Sequence, residues 1–274
     1  MEQIEGRVAV VTGGASGIGL GIARAFAARG ARLALLDVEG SALAAAEREL
    51  AERGAEVIAV RADVSDAASM DAAARQVEER FGRVHVLCNN AGVLVQRPLA
   101  ESSVADWRWL VDVNLFGVVN GLARFLPGMR AHGEGGHVVN TSSVAGLLAL
   151  PGLGIYSATK FAVLALSETL RAELAPEGIG VSVLCPGGVR TRIHEAGRNR
   201  PDALGGPDEA AGRSRATDAA VETGMHPDRV GECVVRAVQR DELYVLTHPE
   251  FREAVAGRAQ VLLDAFDRSA SEST

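Results

Sequence analysis

Tyr156 and Lys160 stand four residues apart and form the pair in this 274-residue chain best suited to moving a proton. On a helix that spacing puts both side chains on one face. A free phenol, with a pKa near ~10, is a poor base at neutral pH. An ammonium ~5 Å away, at an effective dielectric of ~20, favours the phenolate by roughly 3 kcal/mol, or about two pKa units. That would bring the phenol toward the range useful for general acid–base work. Alone, such a pair is more often surface decoration. A second constellation gives it weight: Thr12-Gly13-Gly14-Ala15-Ser16-Gly17-Ile18-Gly19, between an apolar run and a helical pattern. Glycines there let the backbone approach a pyrophosphate, and the helix start offers unpaired N–H donors with a partial positive charge. Glycine also merely permits tight turns, so position carries this argument more than spacing. No Gly-Lys-Ser/Thr follows, which argues against a Walker-type triphosphatase. Asp37 ends the next apolar run, 18 residues after Gly19. A carboxylate there accepts bonds from ribose hydroxyls and repels a 2′-phosphate. Leu36 and Val38 supply no cation to reverse this, so NAD(H) is expected over NADP(H); a helix-capping role for Asp37 is the alternative.

The elements that must position these residues alternate. Val8 to Thr12, Arg32 to Asp37, Glu56 to Arg61, Val84 to Asn89, Gly136 to Ser142, Gly180 to Cys185 and Leu243 to Thr247 read as strands. Helical patterns lie between them near 17–29, 40–53, 66–80, 103–131 and 155–175. This repeat predicts an α/β fold: a three-layer, Rossmann-type, doubly wound parallel sheet of about seven strands, with its ligand at the strands' carboxyl ends. One domain is expected over 1–268, with the irregular, charged 192–226 segment as a lid or binding loop and 269–274 as a flexible tail.

Four further segments complete a family pattern. They are Asn89-Asn90-Ala91-Gly92, Asn114 in Asp112-Val113-Asn114-Leu115, Ser142-Ser143, and Tyr156-Ser157-Ala158-Thr159-Lys160. In this order with the Gly-x3-Gly-x-Gly loop, from residue 7 to about 191, the chain resembles the single-domain short-chain dehydrogenase/reductase family; Pro186-Gly187-Gly188-Val189-Arg190-Thr191 extends the match. The resemblance implies an NAD(H)-dependent oxidoreductase that interconverts a secondary alcohol and a ketone by hydride transfer, with Tyr156 as general acid/base. The family's serine lies 13 residues before its tyrosine, which selects Ser143 over Ser142 as donor to the carbonyl oxygen. Asn114 corresponds to the residue that holds a water beside Lys160, although a mid-helix Asn also forms simple local bonds. Implied cofactor contacts are Gly13, Ser16, Gly17, Ile18 and Gly19 in the loop, Asp37 at the ribose, and Asp63 and Val64 at the adenine. Asn90, Ala91 and Gly92 would line the cleft, and Tyr156 and Lys160 would meet the nicotinamide ribose. Pro186, Gly187, Val189 and Thr191 follow, with Thr191 at the carboxamide. The Asn89–Gly92 segment would equally serve the central sheet. A carbonyl reductase, an NAD-using epimerase and an NAD-binding sensor without turnover fit the same scaffold; the intact Ser143/Tyr156/Lys160 set disfavours the last.

Composition narrows the partners. With 28 Lys+Arg against 35 Asp+Glu the net charge is −7, which repels nucleic acid and anionic membranes. A 47% apolar content supports a large core. The odd, scattered Cys88, Cys185 and Cys233 suit buried thiols, and the six histidines show no metal-ligand spacing, so no metal is expected. Without a basic-then-apolar start or ~18 uninterrupted apolar residues, a cytoplasmic location is expected. The 192–226 segment mixes Ala203, Leu204, Ala210 and Ala211 with arginines at 192, 198, 200, 213 and 215. It suggests an apolar or cyclic alcohol or ketone, the arginines facing solvent or an anionic group. Trp107 and Trp109 suggest packing or subunit contact. Apolar residues left over on the 103–131 and 155–175 helices (Trp107, Leu110, Phe116, Phe161, Leu164, Leu170) point, with the family resemblance, to a homodimer or homotetramer.

Overall fold

β1 (Val8–Thr12), β4 (Val86–Asn89) and β5 (Gly136–Thr141) are buried at every residue, the state in which a run of β-branched and apolar side chains is stable as a strand covered on both faces. The structure, a computed structural model, describes residues 1–272. Among them, these strands join β2 (Arg32–Asp37), β3 (Val57–Arg61), β6 (Ile179–Cys185) and β7 (Tyr244–Leu246) in one parallel sheet of order β3-β2-β1-β4-β5-β6-β7. The order reverses between β1 and β4, so the crevice beyond their carboxyl ends is where a ligand enters such a sheet.

α1 (Gly17–Ala27) and α2 (Gly40–Glu52) cover one face; α3 (Ala67–Phe81) lies on the other. The helix expected over 103–131 is continuous but composite. It consists of α4 (Val104–Val111), a π-turn at Asp112–Phe116 centred on Asn114, and α5 (Gly117–Ala131). Single π-turns inside helices gather at functional sites. α6 (Gly154–Leu174) follows. The sequence reading placed no helix beyond it, yet α7 (Arg215–Glu222), α8 (Pro227–Arg240) and α9 (Arg252–Glu272) are present. α8 buries Val230, Val234, Val235 and Val238 with Ile22, Phe26 and Leu50 of α1 and α2. It crosses α1 at Gly231, where a Cβ would sit 2.1 Å from the Gly21 carbonyl oxygen. The opposite core holds Met70, Val77, Phe125, Met129 and Leu174.

Three expectations are corrected. The 192–226 segment is not wholly irregular, since 3₁₀ turns at Ile193–Asn199 and Asp202–Leu204 precede α7. The tail from 269 is helical as far as Glu272, because α9 continues through Ala270, a strong helix former; Ser273 and Thr274 lie outside the described residues. Leu110 does not face outward: it is fully buried with Trp109, Val93, Val95 and Ile155, because the chain after β4 covers that side of α4. Leu170 packs on the second core, whereas Phe116 is 51% and Trp107 38% exposed. Val104–Ala131 is also long and apolar enough, at mean hydropathy 1.3, to cross a bilayer. Here Leu110, Val118, Phe125 and Met129 spend that character on the interior.

The amino ends of the central strands hold a buried histidine. His137 Nε2 lies 2.8 Å from Ser182 Oγ, which itself donates to the Glu242 carbonyl at 2.6 Å, so the imidazole is the donor. Its Nδ1 has no hydrogen-bond partner, and burial pushes the pKa from 6.5 down to about 3. The unfolded chain therefore binds a proton below pH 6.5 that the native state refuses, and stability must fall as pH drops through that window. We expect the wild type to lose about 2–3 kcal/mol between pH 7 and 4.5 through this group. In urea titrations at the two pH values His137→Asn should show a correspondingly smaller loss; an identical loss would discount His137.

Candidate active site

The turn leaving β1 fixes the cleft's centre. Gly13 and Gly17 have positive φ, 64° and 52°, which glycine adopts without strain, and a Cβ on Gly13 would lie 2.9 Å from Ala91 Cα. Ser16, extended at the N-cap of α1, makes no side-chain cap bond, and the first turn carries no acid. The N–H donors at this end are thus left for a ligand, and Gly13, Ser16, Gly17 and Ile18 line the cavity. Thr12 Oγ accepts from the backbone of Asn90 (2.9 Å) and Ala91 (3.1 Å), and Asn90 Nδ2 donates to the Thr12 carbonyl at 3.0 Å. The Asn89–Gly92 segment divides its work. Asn89 donates to Asn140 inside the sheet at 3.0 Å, whereas Asn90, Ala91 and Gly92 line the cavity.

At one end of the cavity stand Asp37, Val38, Glu39, Asp63, Val64 and Ser65. Asp37 accepts from Ala15 N–H at 3.1 Å and Glu39 N–H at 3.0 Å. Burial raises its pKa and these two N–H bonds oppose the rise. It does not cap α2, whose N-cap is Glu39. Asp63 Oδ1 takes the Ser65 N–H and hydroxyl at 2.9 and 2.6 Å, and Asn120 Nδ2 donates to the Val64 carbonyl at 2.8 Å.

At the other end α6 presents Tyr156, half-buried, and Lys160, 3% exposed. Lys160 Nζ donates to the Thr141 carbonyl at 2.8 Å and lies 5.5 Å from the Tyr156 ring centroid. Burial pulls the Lys160 ammonium down to about 8 and pushes the Tyr156 phenol up to about 12, while a hydrogen bond with Ser143 opposes the latter. The expected two-unit lowering of the phenol is therefore not met in the ligand-free site, where desolvation disfavours both charged forms. Ser142, 1% exposed, spends its hydroxyl on the Lys160 carbonyl at 2.7 Å. Asn114 is fully buried. Its Oδ1 accepts from Val93 N–H at 2.8 Å, and its Nδ2 donates to the Val93 carbonyl (3.0 Å) and Thr159 Oγ (3.2 Å). With both amide donors used, the side chain can offer a water only the second lone pair of Oδ1.

Pro186 and Thr191 line the cavity. Gly19, Asn114, Ser143, Gly187 and Val189 do not. Gly19 packs against the Gly13 carbonyl, Gly187 donates its N–H to His248 Nδ1 at 3.0 Å, and buried Val189 bridges to Met225. Of the apolar residues expected from the 192–226 segment Leu204 lines the cavity and Ala203, Ala210 and Ala211 do not; the sequence reading missed Val93, Trp109, Val113, Ile193 and Ala196, which line it as well. It also missed the ion pairs of the 192–226 arginines, since nothing local marks contacts with residues so distant in the chain. Arg200 Nη1 meets Asp106 at 2.7 Å with both side chains buried, and Arg192 and Arg198 reach Glu39.

An α/β sheet with a glycine-rich turn, an uncapped helix start and a Tyr/Lys pair at one cavity defines a nucleotide-linked oxidoreductase. The comparisons agree. The chain belongs to the short-chain dehydrogenase/reductase family, whose short chain dehydrogenase model matches residues 7–202. A short-chain dehydrogenase/reductase from Burkholderia phymatum in complex with NAD is 42% identical, with a TM-score of 0.92 over 96% of each chain. A C alpha-dehydrogenase of Sphingobium sp. is 35% identical over 97% of this chain and 88% of its own. A 1-deoxy-11-beta-hydroxypentalenate dehydrogenase of Streptomyces exfoliatus is 35% identical over 91% and 86%. The free N–H groups of α1 suit a pyrophosphate and the Asp37 carboxylate suits an unphosphorylated ribose, so the cofactor is NAD(H).

The depressed Lys160 gives the ligand-free protein a pH signature. Between about 8 and 10.5 the unfolded chain keeps a proton that the native state has lost, so stability rises with pH across that window. By pH 9.5 the gain is about 2 kcal/mol relative to pH 7. Lys160→Met should lack it in denaturant titrations at the two pH values; an equal gain in both proteins would contradict a buried, depressed ammonium.

Proposed function

We propose that this chain interconverts a secondary alcohol and a ketone, with Tyr156 as the acid/base. The observation that carries this is Tyr156, one turn from Lys160 on the wall of the cavity that also holds the glycine turn and Asp37, with a hydrogen bond from behind that wall to Ser143. Bound nicotinamide supplies the hydride acceptor for oxidation and the donor for reduction. Tyr156 Oη takes the hydroxyl proton in oxidation and returns it in reduction. Ser143 donates to the carbonyl oxygen, where charge develops. Lys160 orients the phenol from beneath and binds the nicotinamide ribose; its ammonium favours the phenolate once a ligand adds further stabilisation to the charged form. The 192–226 segment acts as the lid. The wall of Trp109, Val113, Ile193 and Leu204 supports an apolar or cyclic substrate, and two relatives carry dehydrogenase names.

Absorbance at the NADH band decides the reading. NAD⁺ should be reduced with alicyclic or aromatic secondary alcohols; no change with any alcohol or matching ketone would overturn it. Tyr156→Phe should lower the rate by ~10²–10⁴, the worth of general acid–base catalysis, while NADH affinity stays within a few-fold. Retention of more than about a tenth of the rate would assign proton transfer elsewhere.

We also propose a homodimer or homotetramer built on α4–α5 and α6, supported by exposed Phe116 and Trp107 and half-buried Phe161 and Leu164. Light scattering at micromolar concentration should give at least twice the 28.6 kDa chain mass. Phe116→Glu with Leu164→Glu should reduce it to one chain; an unchanged assembly would put the interface on another face.

A further inference from the structure

We propose that Glu39 is a second determinant of cofactor choice, acting through the 192–226 segment: it clasps that segment over the Asp37 end of the cleft and neutralises Arg198, with a share in Arg192, cations that would otherwise receive a 2′-phosphate. The inference rests on the NAD(H) assignment and extends it to residues outside the glycine turn and Asp37.

Glu39 stands two residues after Asp37, and its own N–H donates to Asp37 Oδ1 at 3.0 Å. Its carboxylate is therefore fixed beside the group that selects the ribose. Three side chains from the far side of the cleft converge on it. Arg198 Nη2 and Asn199 Nδ2 both donate to Oε1, the latter at 2.9 Å, and Arg192 Nη1 lies 3.7 Å from Oε2. These contacts hold its pKa below the usual carboxylate range against the opposing effect of burial. Asp37, Val38, Glu39, Arg192, Arg198 and Asn199 all line the one cavity, so the clasp closes over the cofactor's space rather than on a remote surface. Arg61, another nearby cation, donates Nε to the Val38 carbonyl at 3.3 Å and is not among the lining residues.

The charges give the mechanism. Arg198 and Arg192 bring two positive charges to the rim beside the ribose-selecting carboxylate, and guanidinium groups bind phosphate well. Glu39 occupies Arg198 and shares Arg192 with Glu195, which meets Arg192 Nε at 2.9 Å. Removing the Glu39 charge leaves Arg198 without a carboxylate partner, and Arg192 with Glu195 alone, beside the ribose-selecting Asp37, and also loosens the segment covering NAD(H). The two dinucleotides must then respond in opposite directions, which general damage to the cleft would not produce.

The test is direct binding of NADH and NADPH, followed by nucleotide fluorescence without substrate. Glu39→Gln should bind NADPH about tenfold more tightly than wild type, equivalent to ~1.4 kcal/mol, and NADH several-fold more weakly. Adding Arg192→Gln and Arg198→Gln should abolish the NADPH gain. The proposal is overturned if Glu39→Gln weakens both nucleotides, leaves NADPH unchanged, or keeps its gain in the triple variant. Wild type that fails to bind NADH would overturn the cofactor assignment itself, a result distinct from NADH binding with no response at Glu39.

Discussion

The hydroxyl of Thr12 stitches the site together. It donates to the Cys88 carbonyl at 3.4 Å and receives the N–H groups of Asn90 and Ala91. β1 and β4 are the strands between which the sheet order reverses, so their carboxyl ends diverge and leave backbone groups that the ladder no longer pairs. One hydroxyl at that gap satisfies three of them. It also sets the distance between the glycine turn after β1 and the Gly92 turn after β4, where a Cβ would come within 3.6 Å of Lys160 Nζ. The phosphate end and the reaction end of the cleft are thus held in register by the same short contact.

Dryness governs the chemistry. Burial moves the phenol of Tyr156 and the ammonium of Lys160 away from their charged forms, in opposite directions on the pH scale. Their separation on the helix was legible from four-residue spacing, but the sign of the outcome was not. Coulomb attraction depends on a distance that spacing supplies, whereas desolvation depends on what the other strands and loops place around the pair. Lys160 further commits its Nζ to the Thr141 carbonyl. With Lys160 at about 8 the ammonium is still the main form at neutral pH, whereas the phenol stays protonated until a ligand brings interactions that favour the phenolate.

The strands and their order of burial could be read from the sequence because parallel strands are apolar on both faces, which leaves uninterrupted runs. α8 was equally readable in principle. Pro227 occupies the first turn, His226 Nδ1 accepts the Asp228 N–H, and valines recur at 230, 234, 235 and 238. The choice between Ser142 and Ser143 came from a family spacing; the structure separates them physically, the Ser142 hydroxyl being spent on the Lys160 carbonyl at 2.7 Å and the Ser143 hydroxyl donating a long 3.4 Å bond to the Pro186 carbonyl. Contacts such as Arg200 with Asp106 leave no local pattern, since each partner is an ordinary charged residue in its own stretch.

That last pair explains why the charged 192–226 segment belongs with the reaction end. Asp106 accepts from the N–H and hydroxyl of Ser103, closing a capping box at the start of α4, and also from buried Arg200. An ion pair removed from water earns little net stability, but loss of either partner strands a buried charge. Its effect is to fix geometry. The same short helix carries Trp109, over which Arg200 lies at 5.7 Å, and runs directly into the π-turn that holds Asn114 against Val93. The covering segment, the cavity wall and the support beneath Lys160 are thereby linked through α4. A disturbance at Asp106 would reach all three without touching the glycine turn.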